Sequence, residues 1–235
     1  MNDREFSYLK ARLTRLEPDL SWAMQDLAQA EIIIIVSLFS LNCELAKIPL
    51  FASQNELALA RFKWWQDEIM QLFTKAPASK KVPLLAALAF LIDAKQLEAE
   101  PCQAFLTAKL EAFQQPPFIQ QKLLDAYLLR SNGQLFKLVA KALGSLDEPL
   151  DQLALLYKKL HLLTSLNYRN YNQHPFISQE RKAMLKDQKS TVKQLKIAQL
   201  ELNDCAVLLQ QLALSQPRHR FWRNYLKLLR FRLKP

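Results

Sequence analysis

Two glycines in 235 residues, Gly133 and Gly144, constrain what this chain can fold into more than any other feature. Rossmann and P-loop sites put several glycines at a strand–helix turn so that backbone can approach phosphate, and such sites are excluded here. A sheet protein with many tight turns also needs residues that tolerate positive φ. What remains is helix, and Leu, Ala, Gln and Lys, all good helix formers, dominate. Half of the residues are hydrophobic (50%), enough to fill a core. They recur at i, i+3 and i+4, as in Leu84, Leu85, Leu88, Leu91 and Ile92. The expected fold class is all-α: one domain over residues 1–235, built as a bundle of amphipathic helices.

Proline and polar clusters punctuate the pattern. A long helix is expected from Pro18 to about Lys47, ended by Pro49. The next, capped by Ser53 or Asn55, reaches about Phe73. A loop around Pro77–Pro83 leads to helices over Leu84–Lys95, Pro101–Phe113, Phe118–Leu143 (bent near Gly133) and Leu150–Tyr168. A loop with Asn170, Asn172 and Pro175 follows. Stretches over Thr191–Leu214 and 217–233 finish the chain.

Several classes are set aside. Cys43, Cys102 and Cys205 have no metal-ligand spacing and form no complete disulfide framework. His161, His174 and His219 are scattered, with no HExxH pattern. The longest apolar run, Ile32–Phe39, is interrupted by Ser37 and is far short of the ~20 residues of a membrane span. The start, Met-Asn-Asp-Arg-Glu, resembles neither a secretory signal nor a transit peptide. A cytoplasmic location is expected, with peripheral attachment to the inner membrane face.

That attachment is suggested by charge. The net charge is +10, and from Glu180 onward 13 basic residues face 4 acidic ones, so nearly all the excess lies in the last quarter. The final helix divides into an apolar side (Trp222, Tyr225, Leu226, Leu229, Leu233) and a basic side (Arg220, Arg223, Lys227, Arg230, Lys234). A basic amphipathic helix with Trp and Tyr suits an anionic membrane surface. The plainer reading is a last bundle helix with a solvated basic face. Nucleic acid is disfavoured as a partner, because no reader motif accompanies the charge.

Three motifs could carry chemistry. Arg61-Phe-Lys-Trp64-Trp65 places adjacent indoles about 100° apart on a helix, suited to line a cavity for an apolar ligand or simply to pack. In Ser40-Leu-Asn42-Cys-Glu44-Leu-Ala46, two polar residues interrupt an apolar helix and need partners if buried, Arg61 being the natural one. The only DxxxD string, Asp147 to Asp151, contains Pro149, which belongs at a helix start. These acids therefore favour a helix N-terminus over Mg²⁺.

Together these stretches resemble the squalene/phytoene synthase superfamily, the head-to-head trans-isoprenoid synthases. The family's AFN-x-EL or AFCR-x-x-DD helix corresponds to Ser40–Leu45. Its R-x-x-W-W-R corresponds to Arg61, Trp64 and Trp65, with Gln66 in place of the last Arg. Its tyrosine before a Leu-Gly pair corresponds to Tyr127 before Leu143-Gly144. The resemblance runs from about Pro18 to Tyr168. It implies an isoprenoid-synthase-like bundle with a ligand cavity at Asn42, Glu44, Arg61, Trp64, Trp65 and Tyr127. Active members hold Mg²⁺ and prenyl diphosphates with two acidic motifs. Here the first would fall at Ala46 and Leu50, and the second around Thr164–Asn170, where no aspartate stands. The pattern is more similar to the branch containing mitochondrial complex I assembly factors. It implies no cofactor and no catalytic residue, a prenyl or other apolar lipid as ligand, and a respiratory complex subunit as partner. The alternatives are an active prenyltransferase with displaced Mg²⁺ ligands and a basic nucleic-acid-binding module.

Overall fold

The computed structural model describes residues 2–51, 55–74, 82–114, 118–145, 149–165, 178–184, 190–214 and 217–232. Among them there are helices and no strand. In chain order they are α1 (Asp3–Leu16), α2 (Pro18–Ala23), α3 (Gln29–Phe51), α4 (Asn55–Phe73), α5 (Pro83–Asp93), α6 (Ala99–Gln114) and α7 (Gln121–Leu128). A π-helical turn (Leu129–Gly133), α8 (Gln134–Ala142), α9 (Leu150–Ser165), α10 (Gln179–Met184), α11 (Ser190–Leu214) and α12 (Arg220–Arg232) follow. The all-α expectation holds.

Helix α1 was not foreseen, although a capping box announces it. Glu5 N donates to Asn2 Oδ1 at 2.8 Å and Asn2 N to Glu5 Oε2 at 3.0 Å. It buries Phe6, Leu9 and Leu13 against α3. The single helix expected from Pro18 to Lys47 is two. The chain reverses between α2 and α3 through Asp26, at φ 64°; a short polar side chain tolerates this left-handed backbone without glycine. Pro49 does not end α3, which runs to Phe51. A proline in a last turn removes one hydrogen bond and has little helix left to disrupt.

The bend expected near Gly133 is the π-helical turn, which ends there. A Cβ on Gly133 would lie 3.4 Å from Asp151 Oδ1 of α9, close to ordinary contact. Gly144, at φ +67°, ends α8 in the left-handed conformation that favours glycine.

The centre of the bundle is aromatic. Phe39 on α3 meets Phe136 and Tyr157 edge-on at 5.9 Å, and Phe221 at 6.3 Å. Trp222 stacks on Phe136 at 5.0 Å. Through these rings α12 packs onto α3 and α8, and it also lies against α2, closing the bundle. Among the described residues no helix is long and apolar enough to cross a membrane.

Candidate functional site

Two polar clusters interrupt this apolar interior. The first centres on Glu17, which joins α1 to α2 at φ −136° and is almost fully buried. Pro18 starts α2 immediately after it, which fixes the direction of the chain at this residue. Its Oε1 accepts from Tyr157 Oη at 3.1 Å and from Cys43 Sγ at 3.8 Å. Its Oε2 lies 2.8 Å from His161 Nε2. Tyr157 and His161 are one turn apart on α9 and touch ring to ring at 4.4 Å. One carboxylate thus gathers a phenol, a thiol and an imidazole from two other helices.

Burial first, then the charge of Glu17, pushes the Cys43 thiol up to about 12. The same causes hold the Tyr157 phenol well above its ordinary value. Both therefore remain protonated donors near neutrality, and neither is a ready nucleophile. The cluster is a buried carboxylate accepting from a protonated phenol and thiol, with the partly exposed His161 at its edge.

The second cluster lies where α6 meets the π-helical turn. Lys109 Nζ donates to Asn132 Oδ1 at 3.2 Å and lies over the Phe105 ring, 5.5 Å from its centroid. The Asn132 amide is itself oriented, donating to Leu128 O at 3.4 Å and to Ser131 Oγ at 3.3 Å. The π-helical turn places Ser131 and Asn132 inward together, both buried; π-bulges recur at functional positions for this reason. Burial, then the neighbouring Lys158 ammonium, lowers Lys109 to about 7.

The sequence-predicted residues do not form the expected network. Arg61 is exposed and Glu44 does not meet it. Glu44 pairs instead with Arg12 of α1, and with Lys47 at 3.7 Å. The rotation of α3 turns Glu44 toward α1, a helix the proline and polar punctuation does not mark, and away from α4. Asn42 is buried as expected, with Oδ1 accepting no hydrogen bond among the described residues. Trp64 is 42% exposed, while Trp65 packs partly against the core and meets Trp64 edge-on at 5.0 Å. Tyr127 belongs to a separate small cluster with Leu124 and Leu128, stacked on Phe118 at 5.0 Å.

In α12 the two faces are as read, but the apolar face is used internally. Trp222 and Tyr225 are buried, and Trp222 Nε1 donates to Ser145 Oγ at 3.3 Å, so neither can reach a membrane. Arg220, Arg223 and Lys227 are exposed and Arg230 is half-buried; Arg220 also donates to Asp26 O at 2.7 Å. Lys234 lies outside the described residues, as do most of Thr164–Asn170 and Asp147. Asp151 stands in the first turn of α9 and pairs with Lys137 at 3.4 Å.

Sequence reasoning missed Glu17, Tyr157, His161 and Lys109. The partners of Glu17 lie 26 and 140 residues away, and only the fold joins them. One local signal was available for Lys109: it is a cation in a helix whose neighbours Phe105 and Leu106 are core residues.

Against known proteins, the family model "squalene/phytoene synthase" matches residues 19–160. A crystal structure of a dehydrosqualene synthase in complex with ligand superposes with a TM-score of 0.71 at 12% identity, covering 98% of this chain and 85% of that one. Squalene synthase HpnC from Alicyclobacillus acidocaldarius superposes with a TM-score of 0.59 at 18% identity, covering 97% and 90%. At these identities the two structures establish the shared fold. No curated protein matches the sequence. The family match extends over more than half of the chain and includes every helix from α3 to α8, and the chain belongs to the squalene/phytoene synthase family.

Proposed function

We propose that this chain keeps the family's fold as a binding scaffold and does not condense prenyl diphosphates. One observation carries this reading. On α3 the positions of the family's first acidic motif are Ala46 and Leu50, which offer no oxygen to a metal. Glu44, two residues before Ala46, is engaged by Arg12 and Lys47. Between Asp151 and Glu180 the sequence has no carboxylate for a second motif. This donor set does not fit Mg²⁺, which takes hard oxygen ligands in near-octahedral geometry. Ionising a prenyl diphosphate needs its developing charge neutralised, and α3 supplies nothing for that.

The retained function is capture of an apolar ligand or a protein partner at the membrane surface. Exposed Arg223 and Lys227 support the surface contact, with Phe231 beside them 73% exposed. A place in respiratory complex I assembly, with a complex subunit as partner, rests on the resemblance of the Asn42-x-Glu44-Leu45 pattern to that branch. The test is turnover of labelled farnesyl diphosphate with Mg²⁺. Product at the level of a no-enzyme control is expected. Turnover abolished by EDTA would replace this reading with that of an active prenyltransferase. Vesicle co-sedimentation should rise with anionic lipid and fall when Arg223 and Lys227 become Gln; equal binding to neutral vesicles would remove the membrane surface from the proposal.

A further inference from the structure

The geometry points to the seam between α2 and α12 as the edge that enters an anionic lipid surface. Trp22 and Phe231 go into the bilayer interface, and Arg223 and Lys227 meet its head groups. This rests on the surface contact proposed above and deepens it, adding α2 as half of the contact and naming the side chains that leave water.

Polar contacts fix α12 on the end of α2. Arg220 Nη1 donates to Asp26 O at 2.7 Å, and Asn224 Nδ2 donates to Ala23 O at 3.4 Å. On a helix, residues at i, i+4, i+7 and i+11 follow one line. Lys227 and Phe231 therefore continue the line that Arg220 and Asn224 begin, over roughly 16 Å of a helix that packs against α2. On the other bank Trp22, next to Ala23, is 40% exposed; Phe231 is 73% exposed. The bundle buries Trp222 and Tyr225, so the aromatic part of a surface contact falls to Trp22 and Phe231.

Charge decides what covers the seam. After Asp204 the sequence has seven Lys or Arg and no Asp or Glu. Among the described residues neither Arg223 nor Lys227 meets a carboxylate. On the α2 side, partly buried Asp19 and exposed Asp26 offset part of this charge. A bilayer with anionic lipid answers both features: its head groups supply diffuse negative charge, and its interface takes up single aromatic rings. A globular partner would need its aromatic anchors gathered in one closely packed patch. Here the two rings stand on separate helices, and every fully exposed side chain of α12 before Phe231 is cationic.

The experiment binds the full chain to vesicles of phosphatidylcholine and phosphatidylglycerol, with lipid brominated high in the acyl chain as a quencher of tryptophan fluorescence. Trp64, equally exposed but on α4, is the control. Quenching is expected on anionic vesicles; Trp22→Phe should remove most of it and Trp64→Phe little. Phe231→Ser should weaken binding about threefold. Arg223→Gln with Lys227→Gln should weaken it about tenfold or more. All four side chains are exposed, so these variants should melt with the parent chain. Quenching that survives Trp22→Phe, or that is lost in Trp64→Phe, would overturn the inference. Binding without quenching would overturn it too: matched by salt-sensitive binding of heparin, it would make the seam a polyanion surface. Dimerisation abolished by Phe231→Ser would overturn it in favour of a second copy of the chain. Binding without quenching leaves the membrane contact proposed above standing, whereas no binding, or equal binding to neutral vesicles, removes both.

Discussion

The interior around α3 and the seam joining α9, α10 and α11 solve burial in opposite ways. Around α3 the contacts are aromatic and aliphatic, with Phe39 meeting Phe136, Tyr157 and Phe221. At the seam the centre is ionic. Lys159, 3% exposed, lies 3.2 Å from Glu201 and Asp125 and 2.8 Å from Asp204. Arg181 pairs with Glu201 and, at 2.7 Å, with Asp204. Each of these five charges has an opposite within reach, so their polarity is structural. Around α3 polar atoms are sparse: Glu17 has its donors, but Asn42 Oδ1 accepts nothing among the described residues. Polarity that the fold leaves under-satisfied is where a ligand has something to add.

Four perturbations sharpen this contrast. Phe39→Ala should cost the most, about 4 kcal/mol, because it opens a cavity where three rings meet; urea midpoints measure it, and a loss under 1 kcal/mol would mean the rings repack freely. Lys159→Met should cost about 3 kcal/mol, since it leaves Glu201 and Asp204 with Arg181 alone. An unchanged midpoint would show that the seam is held by packing and not by its ions.

The third perturbation is acid. Burial alone would raise Asp204, but Lys159 and Arg181 outweigh it and hold the carboxyl below its ordinary value. Its contribution is therefore complete above about pH 4, the unfolded carboxyl's range, and is lost as pH falls through the lower folded value. Denaturation between pH 5 and 2 should show the loss, and Asp204→Asn should flatten it. Smallest is Glu44→Ala. With Arg12 as a partner and both side chains partly exposed, it should cost about 1 kcal/mol or less. A loss of 3 kcal/mol would restore the buried network read from sequence.

The helical class, the bend near Gly133 and the two faces of α12 were legible because each depends on local composition or period. The break at Asp26 was not, since an aspartate in the left-handed region has no proline or glycine to mark it. The site divides along the same line. Asn42 could be flagged as a polar interruption of an apolar helix, and the lost acids at Ala46 and Leu50 could be read directly. Which cation answers Glu44, and that Glu17 collects Cys43, Tyr157 and His161, are decided by the mutual rotation of helices. The trivial use of Trp222 was hidden for a similar reason: an amphipathic period says that a face is buried, not whether protein or lipid buries it.

The return of α12 to α2 bears on how the chain reaches its fold. Asn224 Nδ2 donates to Ala23 O at 3.4 Å, a contact 201 residues apart, and His219 Nε2 lies 3.0 Å from Glu31 Oε1, 188 apart. Closing such loops must precede any gain from the contacts they make, so folding is expected to be slow for a helical protein of this size. During synthesis the surface of α2 and the face of Phe39 that Phe221 covers wait until α12 has been made. Truncation before Arg220 would thus remove the cover from the first part of the core to be made, and the truncated chain should be recovered as aggregate.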